Sequence, residues 1–141
     1  MSGRENDGRA AEFRPFFAAL QERRLAFPRC TSCTRFHWYP MKLCPSCRSA
    51  DIGWEPVDGR GQLFSWTVVR HAFDPEGNAP DPPYVVGLVE FPDAQGIRLV
   101  TNLVETPVSA LAIGLTVEPI FLAEKAGAWR VLFRAAKTEP P

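Results

Sequence analysis

The chain has 141 residues, of which 45% are hydrophobic and 23% charged, and its 16 basic residues balance 16 acidic ones. This composition describes an ordinary soluble protein of one domain plus a small module, without a global charge that would attract nucleic acid. No apolar run approaches the ~20 residues of a membrane span, and the polar start lacks a secretory signal. We therefore expect a cytoplasmic protein with no membrane contact.

The first predicted element is an N-terminal helix. Residues 1–11 are polar and are expected to form a disordered tail. Residues 12–25 are expected to form the helix, and the N-terminal helix unit is assigned to residues 12–28. One face carries apolar side chains at helical spacing: Phe13, Phe16, Phe17 and Leu20. Pro15 is tolerated only in a first turn, so the regular helix should begin near it. The phenylalanines would either pack on the second domain or contact another protein.

Two Cys-x-x-Cys pairs within residues 29–50 predict a zinc ribbon. They contain all four cysteines of the chain: Cys30, Cys33, Cys44 and Cys47. Zn²⁺ prefers four thiolates at tetrahedral geometry in a structural site, and iron held as in rubredoxin fits the same ligands. Disulfides would need an oxidising compartment, and a redox Cys-x-x-Cys usually occurs once, near a βαβ pattern. If a metal takes all four sulfurs, no cysteine is left to act as a nucleophile.

The ribbon segment is strongly basic. Residues 23–48 contain six basic residues and no acidic one, and four thiolates on Zn²⁺ contribute −2, so the module carries about +4. Such a face suits a phosphate-bearing ligand or an acidic partner, although a plain solvated surface would look the same. His37 is not needed as a fifth ligand and is expected to be a surface or packing residue. His71 is expected to be a loop or rim residue.

Five strands are predicted after a connector at residues 51–60. Their residues follow a period of two and are rich in β-branched and aromatic side chains: Gln62–Arg70, Tyr84–Phe91, Ile97–Val104, Thr116–Ala123 and Ala128–Arg134. Thr106 followed by Pro107 starts a short helix between the third and fourth strands. The layout predicts a mainly β chain with a five-stranded OB-fold barrel at residues 59–135, followed by a tail at 136–141.

Three details of the barrel are also predicted. Residues 74–83 form the loop between the first two strands. Pro119 within the fourth strand indicates an edge or a bulge, because proline cannot donate to a strand ladder. Phe64 and Trp66 lie two apart in the first strand and are interpreted as core residues on one face.

These features together resemble a known family, the acyl-CoA-associated zinc-ribbon/OB-fold proteins, long catalogued as a domain of unknown function. The resemblance runs from about Phe13 to Ala135 and includes the four cysteines. The other matching stretches are residues 59–69, 83–89, 98–104, 111–117 and 133–135.

The chain departs from the family pattern at three positions. We call each Cys-x-x-Cys turn a knuckle. In the family a glycine usually follows the second cysteine of each knuckle, where the backbone turns with φ > 0, but this chain has Thr34 and Arg48 at these positions. Arg23 replaces a glycine often found at the end of the helix. A non-glycine residue with φ > 0 costs ~1–2 kcal/mol, which is small beside the ~10–16 kcal/mol of structural zinc binding.

The resemblance implies a non-catalytic zinc-binding subunit of a thiolase-like or aldolase-like complex that makes or breaks C–C bonds in acyl-CoA thioesters. The thiolase-like partner would supply the catalytic cysteine, and known substrates of such complexes include lipid, aromatic and steroid acyl groups. Basic residues would meet CoA phosphates or an acidic partner surface, and large apolar ones would be anchors. The residues assigned to this contact are Arg35, Trp38, Tyr39, Met41, Lys42 and Arg48.

Two other functions stay open. Zinc ribbons and OB-folds also occur in nucleic-acid binders, although residues 61–141 sum to −3. A free acyl-CoA carrier without an enzyme partner is the second. Catalysis by the chain alone is not indicated, because the sequence has no Ser-His-Asp order, carboxylate-pair motif or glycine-rich phosphate loop.

Overall fold

A computed structural model describes residues 7–72, 80–124 and 127–137, with side chains from residue 11 onward. Within these residues the elements, in chain order, are helix α1 (Asp7–Gln21) and strands β1 (Leu25–Cys30), β2 (Ile52–Val57), β3 (Gly61–Val69), β4 (Tyr84–Phe91), β5 (Ile97–Leu103), β6 (Thr116–Ala123) and β7 (Trp129–Ala135). Short 3-10 turns occupy Pro92–Ala94 and Val108–Ala110. Most of the predicted 74–83 loop lies outside the described residues.

Strands β3 to β7 close into a barrel in the order β3-β4-β5-β7-β6. Neighbouring strands are antiparallel except β5 and β7, which pair in parallel at Leu103 and Phe133. Each barrel strand lies within one residue of a predicted strand. The prediction of a helix, a ribbon and a five-stranded barrel is confirmed, and the short helix after Pro107 is a single 3-10 turn.

The predicted boundaries at the N-terminal end are wrong. Helix α1 begins at Asp7, inside the expected 1–11 tail, and ends at Gln21, before the expected helix end at residue 25 and the assigned boundary at residue 28. Pro15 therefore lies in its interior, on the exposed side. Residues 25–30 form β1, which pairs antiparallel with β2 from the supposed 51–60 connector. The sequence did not predict β1 because five of its six residues are buried, so it lacks the alternation that marks a half-buried strand. It becomes a strand by pairing with β2, which is distant in sequence.

Helix α1 joins the ribbon to the barrel because it packs on β1 as well as on β6 and β7. Its Phe16 is 6% exposed, and its ring begins a column of aromatic rings that continues into the barrel. Phe16 and Phe27 are 6.3 Å apart between ring centroids, Phe27 and Phe91 are 5.1 Å apart, and Phe91 and Phe133 are 5.9 Å apart. One hydrophobic core therefore spans both modules, whereas Phe17 on the same helix is 44% exposed.

Strand β3 contains a bulge that changes the interpretation of its aromatic residues. The pairing with β4 shifts register between Leu63 and Ser65, so Phe64 and Trp66 point to different faces. Trp66 packs against the core, while Phe64 is exposed under the guanidinium of Arg98, which lies 3.7 Å from its ring centroid. The expectation that both are core residues of one face is therefore wrong.

The expectation for Pro119 is confirmed. Pro119 pairs with Phe133 in the β6–β7 ladder. On the other side of β6, the pairing with β3 ends at Val117. Pro119 thus lies where β6 is an edge, as a residue without an N–H requires.

Candidate metal centre and adjoining surface

The two cysteine pairs adopt the same turn. In the first, the amide of Thr34 donates to the carbonyl of Cys30 (2.9 Å), and the amide of Cys33 lies 3.4 Å from Cys30 Sγ. In the second, the amide of Arg48 donates to the carbonyl of Cys44 (2.9 Å), and another backbone amide lies 3.3 Å from Cys44 Sγ. Backbone N–H groups therefore face the first sulfur of each pair and favour its thiolate form.

The four sulfurs converge on one point. Cys30 Sγ is 3.6 Å from Cys47 Sγ, Cys33 Sγ is 3.6 Å from Cys44 Sγ, and all four lie within 4.8 Å of one another. Disulfide sulfurs would be about 2.05 Å apart. Four sulfurs at about 2.3 Å from a tetrahedral Zn²⁺ lie about 3.8 Å apart, so the arrangement fits a zinc ion.

In the absence of a metal, Cys30 and Cys47 differ in how readily they lose a proton. The backbone N–H of Cys33 is the main reason that the pKa of Cys30 falls from 9.0 to about 6. Although the backbone N–H of Ser49 favours the Cys47 thiolate, burial and the hydrogen bonds with the other sulfurs raise the pKa of Cys47 to about 11. The sulfurs thus share protons, and zinc binding must release them.

All three positions where the chain departs from the family glycines have a left-handed backbone. The φ angles are 57° at Arg23, 67° at Thr34 and 68° at Arg48. The backbone expected from the family pattern is thus present without glycine. Each knuckle keeps its turn while a side chain occupies a conformation that L-residues avoid.

A side chain from the barrel holds the ribbon in place, and the sequence did not reveal it. Gln95, after the Pro92–Ala94 turn, accepts a hydrogen bond from the amide of Phe36 (2.9 Å) and donates to the carbonyl of Thr34 (3.3 Å). The same carbonyl accepts from Nε of Arg29 (2.8 Å). The first knuckle is therefore bonded both to its own strand and to the barrel. A polar residue in a surface turn carries no sequence signal for this role.

His37 is a packing residue, not a surface one. It is 7% exposed, and among the described residues neither of its ring nitrogens has a hydrogen-bond partner. The indole Nε1 of the neighbouring Trp38 is likewise buried without a partner. Burial lowers the pKa of His37 below 6.5, so the ring is held neutral.

The residues predicted to contact CoA or a partner divide into two groups. Trp38 is half-buried and packs edge-on against Phe13 and Phe27, so it braces the ribbon on α1. The rest lie on the ribbon surface: Arg35, Tyr39, Met41, Lys42 and Arg48. Leu43 is also exposed there and was not predicted. We call these six surface residues, Leu43 included, the ribbon surface.

A groove lies beside the ribbon surface, between the outer side of α1 and the start of β7. Its volume is about 1120 Å³. Its walls are mainly aromatic and small apolar side chains, with a few polar ones: Glu12, Phe13, Arg14, Phe17, Ala18, Gln21, Tyr39, Pro40, Gly127, Ala128 and Trp129. A second recess of about 500 Å³ shares Phe17 and Trp129 with it and continues over β4 and β5. We call the larger one the helix groove.

Comparison with family profiles covers most of the chain. A profile described as "ChsH2, rubredoxin-like zinc ribbon domain" matches residues 17–53, and one described as "ChsH2, C-terminal OB-fold domain" matches residues 54–122. The profile residues thus include the four sulfurs and four of the five barrel strands. Among the described residues, no helix has the length and apolarity to cross a membrane.

The known proteins to which the chain is similar include the following three. The solved "Ltp2-ChsH2(DUF35) aldolase" matches with a TM-score of 0.78 and 35% identity, covering 88% of this chain and 94% of that one. A protein of unknown function from the DUF35 family of Sulfolobus solfataricus, with a TM-score of 0.57 and 19% identity over 87% of this chain and 84% of that one, shares the fold. A "probable enoyl-CoA hydratase alpha subunit" of Thermomonospora curvata is 40% identical over 104 residues, 72% of this chain. The chain spans only 30% of that relative's length.

Proposed function

Since the chain belongs to the ChsH2 family of zinc-ribbon and OB-fold proteins, we propose that it is a non-catalytic subunit of a thiolase-like or aldolase-like complex acting on acyl-CoA thioesters. The partner would supply the reactive groups, and this chain would order the partner and contact CoA. The names of two similar proteins support the proposal, because one is an aldolase formed with a second protein and the other is named for a CoA thioester.

The accessory role rests mainly on the arrangement of the four cysteines. All four cysteines of the chain meet at a single point, with their sulfurs within 4.8 Å of one another. A thiolate bound to structural zinc is not free to attack a thioester, so the chain offers no cysteine nucleophile. Of the two histidines, His37 is buried within the ribbon, which leaves His71 beside β3 as the exposed one. Carbon–carbon bond chemistry at a cysteine would therefore belong to the partner.

The ribbon surface supports a protein contact. Tyr39, Met41 and Leu43 are 57%, 49% and 48% exposed, and such side chains are typical anchors of protein interfaces. Arg35 and Arg48 have no carboxylate of the described residues within salt-bridge distance. An apolar centre with two arginines at its rim that have no salt bridge in the described part of the chain suits a partner surface with an apolar patch and acidic neighbours.

Reconstitution with a candidate partner tests the proposal. The zinc-loaded chain is co-expressed with a thiolase-like protein encoded nearby in the same genome, and complex formation is followed by size-exclusion chromatography with light scattering. Acyl-CoA cleavage or condensation is then measured for the partner with and without the chain. We expect a stable hetero-oligomer and a partner that is inactive or less active alone. A chain that neither binds nor affects such a partner would refute the accessory role.

Two variants locate the contact. Met41→Asp places a charge in the centre of the ribbon surface and should abolish the complex. Val108→Asp makes the same kind of change at a 48% exposed residue on a turn of the barrel, and it should leave the complex intact. Loss of the complex only with Val108→Asp would move the contact to the barrel.

A further inference from the structure

We infer that the helix groove binds the nucleotide end of a CoA thioester, with Trp129 stacking on the adenine and Arg14 meeting a phosphate. The inference rests on the proposed acyl-CoA role. It places the CoA contact in the space between α1 and β7, whereas the resemblance assigned the basic ribbon residues to either CoA phosphates or an acidic partner. Those basic residues are then available to the partner.

The walls of the helix groove suit a flat ring. Phe13, Phe17, Tyr39 and Trp129 all line it, and Phe17 and Tyr39 leave 44% and 57% of their surface exposed. Every nucleic-acid base has a π-face that stacks on aromatic side chains without a need for specific hydrogen bonds. The indole of Trp129 is held in position by Arg23, whose guanidinium carbon lies 5.5 Å from its ring centroid.

The charge of the helix groove suits a phosphate. No carboxylate of the described residues lies within salt-bridge distance of Arg14, which lines the groove. The one acidic residue of the lining, Glu12, has its Oε1 4.0 Å from Nζ of Lys42, which offsets its charge. A guanidinium that has no salt bridge among the described residues, beside aromatic walls, is complementary to a ring that carries phosphates.

The size and position of the helix groove suit an extended ligand shared with a partner. Pockets for drug-sized molecules measure about 300–1,000 Å³, and this groove reaches about 1120 Å³ before the adjoining recess is added. Tyr39 belongs both to the groove and to the ribbon surface. A thioester with its nucleotide in the groove could therefore extend into a partner that docks on the ribbon.

Direct binding to the zinc-loaded full chain tests the inference. The probes are CoA, adenosine 3′,5′-bisphosphate (its nucleotide end), adenosine and pantetheine, each titrated by calorimetry. We expect CoA and the bisphosphate to bind with similar affinity, adenosine more weakly, and pantetheine not measurably. Binding of pantetheine but not of the bisphosphate would overturn the inference, as would no saturable binding of any nucleotide up to millimolar concentration.

Variants assign the contacts. Trp129→Ala should weaken bisphosphate binding about tenfold, and Trp129→Phe, which keeps a ring, should restore most of it. Arg14→Gln should weaken the bisphosphate about fivefold but leave adenosine unchanged, since only the phosphate contact is lost. Arg60→Gln, a change of the same kind at an exposed arginine outside the groove, is the control. Thermal unfolding and zinc content confirm that each variant is folded.

Two outcomes separate this inference from the accessory role. If Arg48→Gln weakens bisphosphate binding while Arg14→Gln does not, the nucleotide lies on the ribbon and the groove assignment is wrong. If the nucleotide does not bind at all but the chain still forms an active complex with its thiolase-like partner, the inference fails and the accessory role stands.

Discussion

Replacing Arg48 by glycine should stabilise the protein, although it deletes a side chain and adds chain flexibility. Arg48 has a φ of 68°, where a non-glycine residue costs ~1–2 kcal/mol. Glycine removes that strain but loses more conformational freedom on folding, which costs ~0.5–1 kcal/mol. The side chain is exposed and has no salt bridge within the described residues, so little else is lost. The net gain is therefore between about 0 and 1.5 kcal/mol, with a central value of about 0.75 kcal/mol.

The assay is urea unfolding at a fixed free zinc concentration, because a bound ion stabilises the folded state by mass action. Arg48→Ala separates strain from side-chain loss, since alanine keeps the strain. We expect glycine to be more stable than alanine at position 48. The matched control is Arg35, an exposed arginine of the same ribbon without a left-handed φ, where glycine should be less stable than alanine by about 0.5–1 kcal/mol. The same sign at both positions would refute the reasoning.

Four further predictions follow from named contacts. Cys44→Ser should abolish stoichiometric zinc, measured by metal analysis of the purified chain, because it removes one of four ligands. Gln95→Ala should cost about 1 kcal/mol and speed hydrogen exchange at the Phe36 amide, which loses its acceptor. Gly87→Ala should destabilise by about 1–3 kcal/mol in urea, since the added Cβ would lie 2.1 Å from Leu103 Cδ2, and Leu103→Val should recover part of the loss. His37→Phe should be neutral or stabilising at pH 7.5, because it removes two buried nitrogens that have no hydrogen-bond partner among the described residues. The imidazole protonates more readily in the unfolded chain than in the folded one, so the wild type alone should lose stability as the pH falls below 6.5. The gap between the two urea midpoints should therefore widen by pH 5.5.

The barrel could be predicted because its strands alternate and are separated by turn residues. Each predicted strand agrees with the structure to within one residue. Strand β1 could not be predicted, since five of the six residues of Leu25–Cys30 are buried without alternation and the strand pairs with residues more than twenty positions away. The bulge at Phe64 was missed for a related reason: it reverses the facing of all later side chains in β3 without changing the composition.

The four metal ligands could be predicted from the sequence, but the residues that surround the metal site could not. The spacing of the cysteines determines which sulfurs meet, because each Cys-x-x-Cys is a local turn. The burial of His37 and the bonds of Gln95 depend on how the ribbon sits against the barrel, which no local pattern encodes. Residues whose roles arise from packing between modules are thus the ones that sequence analysis assigned wrongly or missed.

The zinc site and the helix groove are mechanically connected, although they lie on different elements. The segment between the cysteine pairs carries Trp38, which packs on Phe16 at 4.9 Å between ring centroids, and Tyr39, which forms part of the groove wall. Without the metal, the described contacts that hold this segment are mainly one bridge between Phe36 and Arg29, the two hydrogen bonds of Gln95, and its aromatic contacts. Zinc removal should therefore disorder one wall of the groove as well as the ribbon. A structural metal would in this way control a ligand site that it never touches, because the same aromatic column supports both.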